Sequence, residues 1–352
     1  MGHPDGAAAS PLSPRNVAIG LALFVVFTLG GLAVVAWWAR RSDAAVVSEI
    51  THASPRLLLV ALLFLVVDVT AGALRVWVLA REALPGFRVR DGLRTHLYLL
   101  FAGGVTPMQL GGGPAQYVVL RARGLPPHDA LAVLSISWIG GLAALGLLGG
   151  GATAYLVAAG RIDLGALLGA LLVTVAFVVL VGLAVTVFPS RVTRWLHGIR
   201  GMRRGRVGHR VLRAAARYRR TIRLFGRSRR TAWAVNASLN IVMVLLRCAA
   251  GVAIAAALGV LVPPVEAVAR QTIQFAVISV APSPAGSGVA ELTSVGLMAA
   301  LVPPGLLVAW TVLWRLFTSY LGVLAGAFVV VLDLVSPGQP GPPGPGPARR
   351  ER

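Results

Sequence analysis

Lysine is missing from this chain altogether: all 33 of its basic residues are arginine. That excludes a phosphate-loop lysine, a Schiff-base lysine and a Ser/Lys catalytic dyad. Cysteine occurs once, as Cys248 inside an apolar run, so disulfides and cysteine-rich metal centres are excluded too. A lone thiol in that setting behaves as a small buried apolar residue. Acidic residues are few, twelve in 352, and Asp68, Asp163 and Asp333 stand singly along the chain. There is no His/Glu zinc helix, no paired-Asp metal motif and no nucleophile elbow. His96 and His128, flanking the first Pro/Gly-rich break described below, read as interfacial residues. The expectation is a chain without enzymatic activity and without a cofactor or metal.

What is abundant is apolar surface. Hydrophobic residues make up 57% of the chain and charged ones 13%, about half the charge of a typical soluble domain. Apolar runs near 17–39, 57–80, 127–158, 162–188, 231–258 and 305–333 each reach the ~20 residues needed to cross a bilayer core. The first run is of spanning length and lacks a convincing cleavage site, so no secretory signal is expected. Segments 92–124 and 265–301 are long enough but interrupted in the middle. The fold class expected is an all-α integral membrane protein with six full transmembrane helices plus two re-entrant helical hairpins.

The two interruptions match. VTPMQLGGGPAQ (Val105 to Gln116) aligns without gaps to VAPSPAGSGVAE (Val280 to Glu291), 175 positions later. Val, the first Pro, two Gly and an Ala are identical, and Gln116 aligns with Glu291. A Pro/Gly break at membrane depth frees backbone groups that hydrocarbon cannot satisfy, so it belongs inside protein or against a watery cavity. Matching breaks in two halves of a chain point to a transporter-like binding site.

Charge fixes the expected orientation. Ser190 to Arg230 holds fifteen arginines and no acidic residue, which assigns this short loop to the cytoplasm. Within it Val211, Ala215, Tyr218, Ile222 and Phe225 step by four and three, with Arg210, Arg213, Arg217, Arg220 and Arg227 around them. That pattern suits an amphipathic helix on an anionic leaflet. No aromatic platform or folded module accompanies it, so no nucleic-acid partner is expected.

Counting outward puts both termini in the cytoplasm, with residues 1–16 and the Pro/Gly-rich, disordered 336–352 as tails. Arg40, Arg41 and Arg56 fall outside and run against this count. Residues 17–158 then form one membrane repeat with its hairpin at 92–124. Residues 162–333 form the second, with the basic loop at 190–230 and its hairpin at 265–301. The repeats start on opposite sides, an inverted repeat whose hairpin tips meet near the midplane.

Three arginines lie in the middle of apolar runs: Arg75, Arg247 and Arg315. Each costs ~2.5–3.5 kcal/mol at a helix centre on insertion scales, so each needs a partner or a role. A phosphate head group bound by guanidinium supplies one answer; internal pairing with Asp68 or Glu291 supplies the other. The tips add Gly111, Gly112 and Gly113 in the first half and Gly286 and Gly288 in the second. Half-helices beginning there aim free N–H groups at a ligand. Glu291 falls in the first turn of the second half-helix, as a cap or as a coupling group, with Gln116 its neutral counterpart. Arg270, Gln271 and Gln274 indicate that their limb faces protein or water, and Tyr320 follows Arg315 in the last run.

These motifs resemble the flippase-like membrane region of lysylphosphatidylglycerol synthases and its stand-alone relatives. The likeness lies in GGVTPMQLGGGPAQYVVLRARGLPPHDAL, in APSPAGSGVAELTSVGL and in WRLFTSY, and it covers 15–335. Many relatives carry a Gly-Glu pair after the first break; this chain has Gln116 there. The resemblance implies an inner-membrane protein that handles or translocates a lipid. It does not imply lysyl transfer, which needs a soluble transferase domain. The expected function is a flippase-like transporter of a phosphate-bearing lipid, anionic or polyprenyl-type. Its partners would be membrane lipids with anionic head groups, and the leaflet beneath Arg191–Arg230. A non-transporting partner of envelope-lipid enzymes and a lipid-modifying enzyme are the alternatives.

Overall fold

The computed structural model describes residues 46–106, 108–161, Ala216, Tyr218, 230–279 and 281–335. The runs at 17–39 and 162–188, most of the basic loop and both tails therefore lie outside the described residues. Within them the chain is helical: α1 (Val46–His52), α2 (Pro55–Ala83), α3 (Val89–Gly104), α4 (Gly112–Ala122), α5 (Pro127–Ala158), α6 (Arg230–Ala257), α7 (Pro264–Ser279), α8 (Val289–Met298), α9 (Pro304–Arg315), a π-helical turn (Leu316–Tyr320) and α10 (Leu321–Val335).

Among the described residues, four lengths of helix are long and apolar enough to cross a membrane: α2, α5, α6 and the continuous stretch Pro304–Val335. They correspond to the expected runs at 57–80, 127–158, 231–258 and 305–333. The chain is a membrane protein, and α2 shows the inside-out pattern that follows. It exposes Leu59, Leu63 and Val66, while Asp68 and Arg75 are buried together with Ala61, Gly72 and Leu79. The buried set recurs at helical spacing, so one stripe of α2 carries its small and polar residues inward.

That stripe packs along α6, and the two helices run antiparallel. Ser54 N–H donates to Ala257 O at 2.8 Å, Arg247 reaches Asp68, and Arg75 reaches Asn240. Each step forward on α2 is a step back on α6. Cys248, fully buried, sets its Sγ 3.6 Å from Thr272 Oγ1 of α7.

Both interrupted segments are pairs of short helices folded back on each other. In the first, Arg123 pairs with Asp91 at 3.2 Å at the open end, and Thr106 Oγ1 accepts the Gly111 N–H at 2.8 Å at the tip. A Cβ on Gly111 would collide with Ala102 O, so glycine permits this close return. In the second, Arg270 Nη1 donates to Leu297 O at 3.0 Å and Gln274 Nε2 to Ser294 Oγ at 2.7 Å. Gly286 and Gly288 turn its tip at φ +68° and +85°.

Charged clusters tie the open ends down. Beside the Arg123–Asp91 pair, Asp333 of α10 binds Arg94 and accepts the Tyr98 hydroxyl at 2.6 Å. The open end of the second pair holds Glu266, Arg270 at 2.8 Å, and Arg161 at 3.9 Å from just beyond the C-terminus of α5. The first pair's open end, by contrast, adjoins the start of α5, since α4 ends at Ala122 and α5 begins at Pro127.

Candidate functional site

A cavity of about 590 Å³ opens between α2, the tip of the first hairpin, α5, α6 and the last helix. Five of the expected binding residues line it: Arg75, Gly113, Gln116, Arg247 and Arg315, with Asp68 beside them. The costly arginines of three separate helices thus share one interior space. His96 and Asn240 line it as well.

Arg75 and Arg247 take part in a reciprocal arrangement across the α2–α6 seam. Arg247 Nε donates to both carboxylate oxygens of Asp68, at 3.2 and 3.1 Å. Arg75 Nη1 donates to Asn240 Oδ1 at 2.7 Å. Asp68 precedes Arg75 by seven residues, and Asn240 precedes Arg247 by seven. Each helix therefore offers an acceptor and, two turns on, a guanidinium, and the two sets cross. The direct Asp68–Arg75 bond is not made; the carboxylate goes to the other helix. Asn240 is held in turn by its Nδ2 donating to Asn236 O at 2.8 Å.

Arg315, 2% exposed, lies 3.4 Å by its Nε from Glu291 Oε1, donates to Ala285 O at 2.8 Å and reaches Ser287 Oγ at 3.2 Å. It thereby grips the tip of the second hairpin. Glu291 also accepts the Gly288 N–H at 2.6 Å, so one carboxylate caps the half-helix and faces the arginine. The Tyr320 ring lies 5.1 Å from the Arg315 guanidinium, within cation–π range. The π-helical turn explains that contact. Its i→i+5 spacing brings together two residues that an ordinary helix would hold on different faces.

Glu291 and Tyr320 thus adjoin the cavity through Arg315, whereas five expected residues build the hairpins. Gly111 and Gly112 form the close return of the first tip; a Cβ on Gly112 would collide with Leu99. Gly286 packs on Ile278. Gln274 is fully buried and bonds Ala290 O and Ser294 Oγ within its own hairpin. Gly288, with open space where a Cβ would lie, supplies the turn conformation.

His96 is the correction. It is not interfacial but 1% exposed, and its ring occupies the notch left by Gly72, where any Cβ would collide with it. Both ring nitrogens are buried without a hydrogen-bond partner. Sequence gave no signal for it, because a notch and the ring that fills it sit on different helices.

Trp314 stacks on Trp310 at 5.6 Å and also lines the cavity. From the basic loop, Tyr218 donates its hydroxyl to Ser135 Oγ of the cavity wall at 2.8 Å.

Residues 17–326 match the family model described as the lysylphosphatidylglycerol synthase TM region. The chain belongs to this family. The match takes in both hairpins, the three cavity arginines and the whole cavity wall, as the motif resemblance implied. Comparison with curated proteins gives no match.

Proposed function

We propose that the chain is a flippase-like transporter that moves a phosphate-bearing lipid between leaflets, with the head group passing through the arginine-lined cavity. The observation that carries this reading is the convergence of Arg75, Arg247 and Arg315 on one space of about 590 Å³. Buried guanidinium groups are costly in a membrane and suit an anionic cargo.

The wider plan is six spans and two re-entrant hairpins in an inverted repeat, in the inner membrane with both termini cytoplasmic. Two relationships support it. The crossed Asp68–Arg247 and Arg75–Asn240 pairs are what a twofold axis through the α2–α6 seam would generate. The open ends of the two hairpins adjoin opposite ends of α5, by sequence at Ala122–Pro127 and by the Arg161–Glu266 pair. In this plan the hairpins enter from opposite faces, and one half rocks against the other around the cavity. The Arg191–Arg230 loop rests on the anionic cytoplasmic leaflet, and no covalent chemistry is assigned to the site.

The test uses vesicles carrying a head-group-labelled fluorescent phospholipid and a membrane-impermeant quencher. In protein-free vesicles the inner-leaflet share stays protected. A transporter exposes it, and Arg75→Ala slows that exposure. A protected share unchanged by the protein would leave it a non-transporting membrane partner; a new lipid product on thin-layer analysis would make it an enzyme.

A further inference from the structure

We infer that the cavity is tuned by charge to a head group carrying a single phosphodiester, and that Asn240 sets this preference. The inference rests on reading the cavity as a head-group site, but not on transport.

The crossed pairs are alike in geometry and unlike in charge. Arg247 meets a carboxylate, Asp68, whereas Arg75 meets an amide, Asn240, at the matching position. Arg315 faces Glu291. Among the described residues, three guanidinium groups at the site thus stand against two carboxylates, leaving one positive charge, and it belongs to Arg75. A phosphodiester brings one negative charge. A phosphomonoester brings roughly 1.5 to 2 near neutral pH, and the excess would stay uncompensated in a buried space.

The unmet hydrogen bonds agree. Arg75 Nε, the two ring nitrogens of His96, Gln116 Nε2, Ser137 Oγ and Trp314 Nε1 are buried without partners, and all five residues line the cavity. Each of these side chains can donate. His96 stands at 1% and Gln116 at 5% exposure, so neither is satisfied at a surface. The acceptors are engaged: both Asp68 oxygens take Arg247, and Glu291 takes the Gly288 N–H and faces Arg315. A wall of donors without a free carboxylate among the described residues suits phosphate, ester and hydroxyl oxygens. It offers an ammonium group no charged partner and sets Arg75 against it.

Arg75 and His96, whose ring fills the notch at Gly72 one turn before Arg75, form the centre of the subsite. Gln116, Ser137 and Trp314 serve the uncharged oxygens.

The experiment measures equilibrium binding of fluorescent phosphatidylglycerol, phosphatidylethanolamine and phosphatidic acid to the full chain in neutral-detergent micelles. Phosphatidylglycerol is expected to bind at least about tenfold tighter than phosphatidylethanolamine. Asn240→Asp, which supplies the missing carboxylate at constant shape, is expected to weaken phosphatidylglycerol by about tenfold. Asp68→Asn, which frees Arg247, is expected to move the preference toward phosphatidic acid. A folded Asn240→Asp variant with unchanged affinity, or equal affinity for phosphatidylethanolamine, would overturn the inference.

Glycerophosphoglycerol in solution is expected to displace the lipid only at concentrations about a hundredfold higher. Displacement at comparable concentration, or by inorganic phosphate, overturns the lipid phosphodiester as ligand. Binding that follows the charge series without leaflet exchange leaves the subsite standing and removes the transport reading. Exchange indifferent to the series removes the subsite alone.

Discussion

Arg75 donates to Asn240 across the same seam at which Arg247 donates to Asp68, so two helices meet through mirrored contacts that differ by one charge. The Asp68–Arg247 pair is the one closed electrostatically, with Asp68 4% exposed. Removing one partner strands the other in a low-dielectric seam. Asp68→Ala is expected to destabilise the chain by about 3 kcal/mol, and adding Arg247→Leu to restore a large part of that. Unfolding in detergent micelles, run as a double-mutant cycle, measures the coupling. Additive effects would mean the two groups do not interact.

Gly72 and His96 form a second coupled pair, through shape rather than charge. Gly72→Ala places a methyl group where the imidazole lies, an overpacking expected to cost about 1–3 kcal/mol. In a His96→Ala background the same change should cost less than about 1 kcal/mol, because the ring is gone. Thermal melting of the four chains decides it.

The hairpin tips separate conformation from contact. Gly288 sits at φ +85° with open space around it, so Gly288→Ala is expected to cost about 1–2 kcal/mol through backbone strain alone. Gly113, aligned with it in the first half, has ordinary φ and equally open space. Gly113→Ala should stay within about 0.5 kcal/mol. Equal losses at both positions would contradict this account.

Opposed entry of the hairpins has a direct check in cysteine labelling. In a Cys248→Ser chain, Arg123→Cys should react with an impermeant thiol reagent from the cytoplasmic face. Arg161→Cys, 62% exposed in its side chain, should react from the other face only. Labelling of both from one side would end the inverted-repeat reading.

The elements most legible in sequence were those with a local cause. Pro and Gly at 105–113 and 282–288 dictate the breaks, and the described spans differ from the apolar runs by a few residues at each end. The three arginines were legible as residues of an interior space, because their cost in hydrocarbon demands such a destination, and all three line the cavity. Partner choice was not legible. Asp68 sits seven residues from Arg75 yet bonds Arg247, because antiparallel packing decides which acceptor meets which donor. Gln274 was expected to face protein or water, but its partner was not legible: it closes its own hairpin on the carbonyl of Ala290 and the hydroxyl of Ser294. The reach of Arg315 to Tyr320 depends on a π-helical turn, which shifts register by one residue and leaves no mark in the spacing of apolar residues.

The single thiol has a use of its own. Cys248 is sealed between α6 and α7 at 0% exposure, with Thr272 Oγ1 3.6 Å from its sulfur. Alkylating reagents can arrive only when that seam parts, and no other sulfhydryl contributes background. The native chain thus carries an internal clock, whose modification rate reads out how often its centre opens.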